Sequence, residues 1–297
     1  MDKTNVLVIG GTSFIARKFI SEHKKDFNIT SVSRRDSGYS KEIVIQDFSK
    51  LEDDIFKKNE IVINFAAIVH NPSEKDELVY SSINFELPIF LAEKSKKNMG
   101  SQFIQISTIS VYGEVDEINQ HTPCIPTNHY GKYKLKADDA LMKLSSNDFT
   151  VTCVRPSMVY GAKNCPGNLS SLINLVKKNI PLPFNGIDNK RQFLNVYNLA
   201  HALKAIIEKQ LDGIILIADE EKVSTSFLVN SIYEIQGSRN KNFKFSIFWK
   251  LVGFLKPDIV RKLCSNLIIH NTYSLQQLGI KKPKTIVEGL REMLGVT

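Results

Sequence analysis

Seven short runs of β-branched and other apolar residues, spaced by segments of helical periodicity, constrain this 297-residue chain more than any other feature. The runs occupy 5–9, 29–33, 42–45, 61–65, 102–107, 150–155 and 214–218, and the main helical patterns occupy 13–24, 78–97, 130–144 and 196–209. Strand and helix in alternation predict an α/β fold, with parallel strands joined by crossover helices. Several runs are apolar almost throughout, as strands covered on both faces must be. Pro88 falls inside the second helical pattern. It either kinks that helix or marks its first turn, because proline lacks the N–H a helix interior needs.

After Gly161 the rhythm changes. The stretch 162–190 carries Pro166, Pro181 and Pro183 among several asparagines and reads as loops around one helix. The strand–helix pattern returns over 192–218, and helical patterns dominate from Asp219 onward. The expected division is a larger α/β domain, 1–161 with 192–218, and a smaller, mostly helical one, 162–191 with 219–297. The apolar, lysine-dotted segment from Phe243 to Cys264 reads as a core helix of the smaller domain in preference to a membrane-surface helix.

Charge and cysteine content narrow the function classes. The net charge is +8, but lysines are spread along the chain, mixed with acidic residues and unaccompanied by a nucleic-acid-reading motif. A solvated basic surface is expected, suited to an anionic substrate and not to nucleic acid. Cys124, Cys153, Cys165 and Cys264 form no CxxC and no paired spacing with histidine, which points to unpaired thiols and no metal. No apolar run spans a bilayer, and the N-terminus leads straight into the first strand, so a cytoplasmic location is expected.

The first strand ends in Gly10-Gly11-Thr12-Ser13-Phe14-Ile15-Ala16 and a helix follows. A tight glycine turn there brings backbone N–H groups and a helix N-terminus to face a pyrophosphate, as in a Rossmann-type, doubly wound sheet. Of the spacing GxxGxxG only Gly10 is glycine; Ser13 and Ala16 are small substitutes. The second strand ends in Ser33-Arg34-Arg35, where an acid would accept ribose hydroxyls. Two guanidiniums suit a 2′-phosphate instead, so NADP(H) is expected over NAD(H). Asp47 and Phe48 are placed to border the adenine, and Ala66 and Ala67 let a cofactor lie against the fourth strand end.

The fifth strand runs into Ser107-Thr108-Ile109-Ser110-Val111-Tyr112-Gly113, and Tyr130-Gly131-Lys132-Tyr133-Lys134 opens a helical segment. Tyr130 and Lys134, four apart, share one helix face. An ammonium near a phenol favours the phenolate, which brings a group that titrates near 10 closer to working pH. Thr108 can hydrogen-bond the same substrate oxygen. His70, His121 and His129 read as loop or rim residues.

These segments, with Val154-Arg155-Pro156-Ser157-Met158-Val159-Tyr160-Gly161, resemble an extended short-chain dehydrogenase/reductase of the NAD-dependent epimerase/dehydratase family over nearly the whole chain. The resemblance implies Thr108, Tyr130 and Lys134 as the catalytic set. It places Gly10, Ser13, Phe14, Ile15, Arg34, Arg35, Asp47, Phe48, Ala66, Ala67, Tyr130, Lys134 and Arg155 at the cofactor. A narrower likeness, in 155–168, Leu182-Pro183 and 189–192, is to bacterial UDP-4-keto-6-deoxy-N-acetylhexosamine 4-reductases and UDP-sugar 4-epimerases. It implies a UDP-sugar substrate touched by Thr108, Tyr130, Asn168 and Arg191, and a homodimer. A 4-reductase in surface polysaccharide synthesis is the leading expectation, since Arg34 and Arg35 suit a consumed NADPH. The runner-up is a UDP-hexose 4-epimerase. A non-catalytic NADP(H)-binding regulator ranks below both, because the Thr–Tyr–Lys set is intact. Ile109-Ser110, where dehydratases carry an acidic pair, argues against a dehydratase.

Overall fold

The computed structural model describes residues 3–69, 77–163, 165–245, 249, 254 and 257–296. The chain opens with β1 (Asn5–Ile9), α1 (Phe14–His23), β2 (Asn28–Ser33) and β3 (Glu42–Val44). After a short helix α2 (Asp53–Lys57) come β4 (Ile61–Asn64), α3 (Glu77–Ser81), α4 (Leu87–Lys97) and β5 (Gln102–Ile106). Then follow the two-residue strand β6 (Glu117–Ile118), α5 (His129–Met142), β7 (Thr150–Pro156), β8 (Met158–Tyr160) and α6 (Asn168–Lys177). Beyond them lie β9 (Phe193–Asn195), α7 (Val196–Glu208), β10 (Gly213–Ile217) and α8 (Thr225–Ile235). A helix Pro257–Cys264, the strand β11 (Ile268–Ile269) and a last helix Ile286–Leu294 complete the described elements.

Seven strands form one parallel sheet in the order β10-β7-β5-β4-β1-β2-β3. They are the seven runs read from the sequence, with ends shifted by a residue or so. Their apolar continuity has the expected cause. Val6 and Val8 pack into a core with α1 and α7, while Leu7 and Ile9 pack into the opposite core with α4 and α5. A separate core gathers Leu169, Leu172 and Ile173 of α6 with Leu228 and Val229 of α8 and Leu290 of the last helix. Part of Phe243–Cys264, read as a core helix of the smaller domain, lies outside the described residues (246–248, 250–253, 255 and 256), as do His70 and Asn164; its end forms the helix Pro257–Cys264.

Of the two readings of Pro88, the first-turn position is the one the structure shows. Pro88 lies in the first turn of α4, and the turn before it, Ser82–Glu86, is π-helical. Proline cannot donate to a carbonyl one turn back, and the ladder widens by one residue upstream of it. The π turn has a second consequence. Asn84 is fully buried, with its amide donating to the Ile68 carbonyl (2.9 Å) and its carbonyl accepting from the Ile68 N–H (3.0 Å). The segment leaving β4 is thereby pinned to the helix.

Candidate active site

The main cleft opens at the carboxyl ends of β1 and β4, where the strand order reverses. It has a volume of about 560 Å³, and its walls include Gly10, Ser13, Arg34, Asp47, Phe48, Ala66 and Ala67, with Ser82 and Glu86 from the π turn. Gly10 has φ +81°, and a Cβ there would lie 2.8 Å from the Ala66 amide nitrogen. Glycine is what lets the two strand ends approach. Ser13, standing where the motif expects glycine, is the N-cap of α1, its hydroxyl accepting from the Ala16 N–H at 3.2 Å. The substitution exchanges backbone freedom for a cap.

A second pocket of about 460 Å³ shares Ser13, Phe65 and Ala67 with the cleft and adds Phe14, Ile15, Thr108 and Tyr130. Two joined spaces, one at a glycine turn and helix N-terminus and the other at a tyrosine, fit an elongated dinucleotide. Of the two arginines after β2, Arg34 borders the cleft. Arg35 is exposed and borders none of the pockets described here, so the structure does not bring it to the site.

Local structure brings Thr108 and Tyr130 together. Thr108 lies two residues past the end of β5 and caps the 3-10 turn Ile109–Tyr112, accepting from the Ser110 N–H at 3.1 Å. Asn128 caps α5 by accepting from the Gly131 N–H at 2.8 Å, which puts Tyr130 in the first turn. A Cβ on Gly131 would lie 2.5 Å from the Ser110 carbonyl oxygen, so the helix start and the 3-10 turn are in close contact. Burial pushes the Tyr130 phenol up to about 12, the hydrogen bond with Thr108 opposes that rise, and the Asp138 charge adds to it.

Lys134 corrects one expectation. Its ammonium is fully buried and donates to the Ile106 carbonyl oxygen at 2.8 Å. Burial pulls it down to about 8, with Asp138 opposing. It does not figure among the groups that move Tyr130. The predicted easing of the phenol by Lys134 is not seen in this geometry, because the ammonium is turned to the end of β5.

Arg155, expected at the cofactor, lies elsewhere. It is buried and donates from Nε to Asp138 Oδ2 (2.9 Å) and from Nη1 to the Tyr112 hydroxyl (2.7 Å). Ser107 Oγ donates to the same Asp138 oxygen at 2.7 Å. Sequence reasoning missed Asp138, although 130, 134 and 138 form one stripe of a helix and the spacing was there to read. It also missed the apolar residues Ile109, Met158 and Leu267, which wall the pocket around Tyr130.

Asn168 and Arg191 border one small gap of about 30 Å³. Arg191 also borders a cleft of about 620 Å³, which shares Ile109, Ser110 and Leu267 with the Tyr130 pocket. Burial lowers the pKa of the Arg191 guanidinium, Asp116 partly offsetting this, and Nη1 donates to the Ser265 carbonyl at 2.7 Å. His129 is exposed, within 3.7 Å of Glu77 and stacked near Tyr80, at the rim. Among the described residues, no group of three or more His, Cys, Asp or Glu side chains could hold a metal, and no helix is long and apolar enough to cross a membrane.

Comparison with known proteins agrees with this architecture. The model of the NAD dependent epimerase/dehydratase family matches residues 6–218. A UDP-glucose 4-epimerase of Vibrio cholerae is 28% identical, the match covering 97% of this chain and 94% of that protein. An N-acetyl-alpha-D-glucosaminyl-diphospho-ditrans,octacis-undecaprenol 4-epimerase of Escherichia coli O157:H7 is 23% identical over 98% of this chain and 94% of its own. Among solved structures, the UDP-glucuronic acid 4-epimerase of Bacillus cereus in complex with UDP-glucuronic acid and NAD superposes with a TM-score of 0.79 at 19% identity, covering 98% of each chain. MoeE5 in complex with UDP-glucose and NAD gives 0.78 at 22% identity, over 98% of this chain and 97% of that one.

Proposed function

Because the chain belongs to the NAD dependent epimerase/dehydratase family, we propose that it is a nicotinamide-dependent UDP-sugar 4-epimerase. The observation that carries this reading is the continuity of three spaces. The dinucleotide-sized cleft, the Thr108–Tyr130 pocket and the cleft bordered by Arg191 share wall residues in sequence. The sequence by itself leads first to a 4-reductase. The two bacterial relatives matched along the whole chain bear 4-epimerase names, which supports the alternative.

A dinucleotide spanning the two joined spaces, held by residues such as Gly10, Ser13 and Arg34, would supply an acceptor and donor of hydride at the sugar C4. The chain supplies the rest. Tyr130 takes the proton of the C4 hydroxyl and returns it, and Thr108 hydrogen-bonds the same oxygen, so charge that develops there meets fixed donors. Ile109, Met158 and Leu267 make an apolar wall. Such a wall offers the flattened sugar no hydrogen bond that would hold one face only, and it keeps water from the reacting carbon. Arg191 and Asn168, in or beside the smaller unit, are assigned to the diphosphate, which an arginine fork suits.

Product analysis by NMR tests this. Interconversion of UDP-glucose or UDP-N-acetylglucosamine with the C4 epimer, without added reductant, is the expected result. Stoichiometric NADPH oxidation by a UDP-4-keto sugar, with no interconversion, would return the assignment to the reductase.

Arg34 on the cleft wall, with no acid at the end of β2, supports acceptance of a 2′-phosphate. The neighbouring structures hold NAD, so the affinity ratio decides. We expect NADP⁺ to bind more tightly than NAD⁺ by calorimetry. Arg34→Ala should lower that preference about tenfold, the size of one charge-assisted contact. An unchanged ratio would remove Arg34 from the site.

A further inference from the structure

We propose that Asp138 is the positioning residue of this site, a buried carboxylate that holds the backbone presenting Thr108 and sets the electrostatic surroundings of Lys134 and Tyr130. It lies on α5 one turn beyond Lys134 and two beyond Tyr130, fully buried. Its Oδ2 accepts from two sides. Ser107 Oγ comes from the residue that precedes Thr108, at 2.7 Å, and Arg155 Nε comes from β7, at 2.9 Å. Its other oxygen, Oδ1, is buried without a hydrogen-bond partner among the described residues.

Every element packed on this carboxylate contributes a polar or titratable group. Arg155 and the Cys153 thiol face it from β7, and Ser107 from the end of β5. Lys134 and Tyr130 lie along its own helix, and Tyr112, in the 3-10 turn, reaches it through Arg155. Arg155 serves as its counter-ion, since a lone carboxylate would not stay ionised at such depth. Burial still raises the Asp138 carboxyl, and Arg155, Ser107 and Lys134 draw it back.

Two effects follow. The Ser107 hydrogen bond fixes a strand end whose next residue must meet the substrate oxygen. The negative charge opposes the loss of the Lys134 proton and also opposes phenolate formation at Tyr130. A neutral residue at 138 should therefore lower both pKa values.

Asp138→Asn retains an acceptor for Ser107 and removes the charge. The first readout needs neither substrate nor cofactor. Phenolate formation is followed by ultraviolet difference titration, with the Tyr130 signal isolated by subtracting Tyr130→Phe, measured in each background. We expect the Tyr130 midpoint to fall, since the Asp138 charge opposes phenolate formation. The second readout is the pH profile of turnover. Its rising limb should move to lower pH as the Tyr130 midpoint falls.

Ser107→Ala leaves the charge in place. It should lower turnover without moving either titration, and it carries the test if Asp138→Asn does not fold. A folded Asp138→Asn with an unmoved Tyr130 midpoint and an unmoved profile would overturn the proposal, as would full activity in Ser107→Ala. The inference rests on the epimerase reading only for turnover. The phenol titration stands even if the substrate proves to be another.

Discussion

Tyr130→Phe should reduce turnover by about two to four orders of magnitude, the range general acid–base catalysis supplies. Nucleotide affinity and thermal stability should stay close to those of the parent. The expectation follows from position. Tyr130 borders the pocket with Thr108, and its ring would remain in the variant while the one hydroxyl able to exchange a proton with a sugar oxygen is lost. The raised phenol pKa sharpens the prediction. A phenol held near 12 is a poor base at neutral pH, so turnover in the parent should rise with pH. The check is a kinetic comparison at several pH values, together with calorimetric titration of the dinucleotide. Near-parental turnover in Tyr130→Phe would dismiss it as the proton carrier. Loss of turnover with equal loss of dinucleotide binding would mean that the ring or its hydroxyl serves the cofactor and not the sugar.

Arg191→Met should have the second largest effect, and it should separate function from stability. The guanidinium is only 8% exposed, and its backbone partner, Ser265, is a neutral acceptor. Burial works against its charge. A cation kept in such a place costs the fold and is satisfied by an incoming anion. Replacing it by an apolar chain of similar length should leave the melting temperature unchanged or raised. Affinity for UDP should fall by about two orders of magnitude, at the lower part of the range for truncating one partner of a buried, hydrogen-bonded charge pair. Differential scanning fluorimetry, with and without UDP, reads both quantities. A lower melting temperature with unaltered UDP affinity would make Arg191 a structural residue and would reopen the assignment of the diphosphate.

What the sequence disclosed follows from which physical signals survive in one dimension. The seven central strands were legible because residues such as Leu7 and Val8 are buried on opposite faces, so their runs are apolar without interruption. Thr108 and Tyr130 were legible because a strand end and a helix start each carry a local signature. The two-residue ladders pairing β6 with β11 were not, since so short a strand has no periodicity to detect. Pro88 announced a disturbance without saying that it would take the form of a π turn. Arg155 was misplaced for a related reason. A motif reports that an arginine stands near the end of a strand, but only three dimensions show that its charge is already committed to Asp138. Lys134 was given the right neighbour in sequence and the wrong partner in space, because helix spacing fixes a face and not the direction of a flexible ammonium.

The order in which the walls are synthesised has a consequence for how the protein is made. All residues bordering the main cleft belong to the first 90 of the chain, whereas the face of the sheet beside α1 is covered by α7, which is not complete until residue 208. The outer strand β10 joins later still, and Leu267, which walls the Tyr130 pocket, comes from the last tenth or so of the chain. On a ribosome, the nucleotide cradle therefore emerges long before the surface that keeps its supporting sheet from water. A nascent chain of about 160 residues carries a finished cradle and an uncovered apolar face.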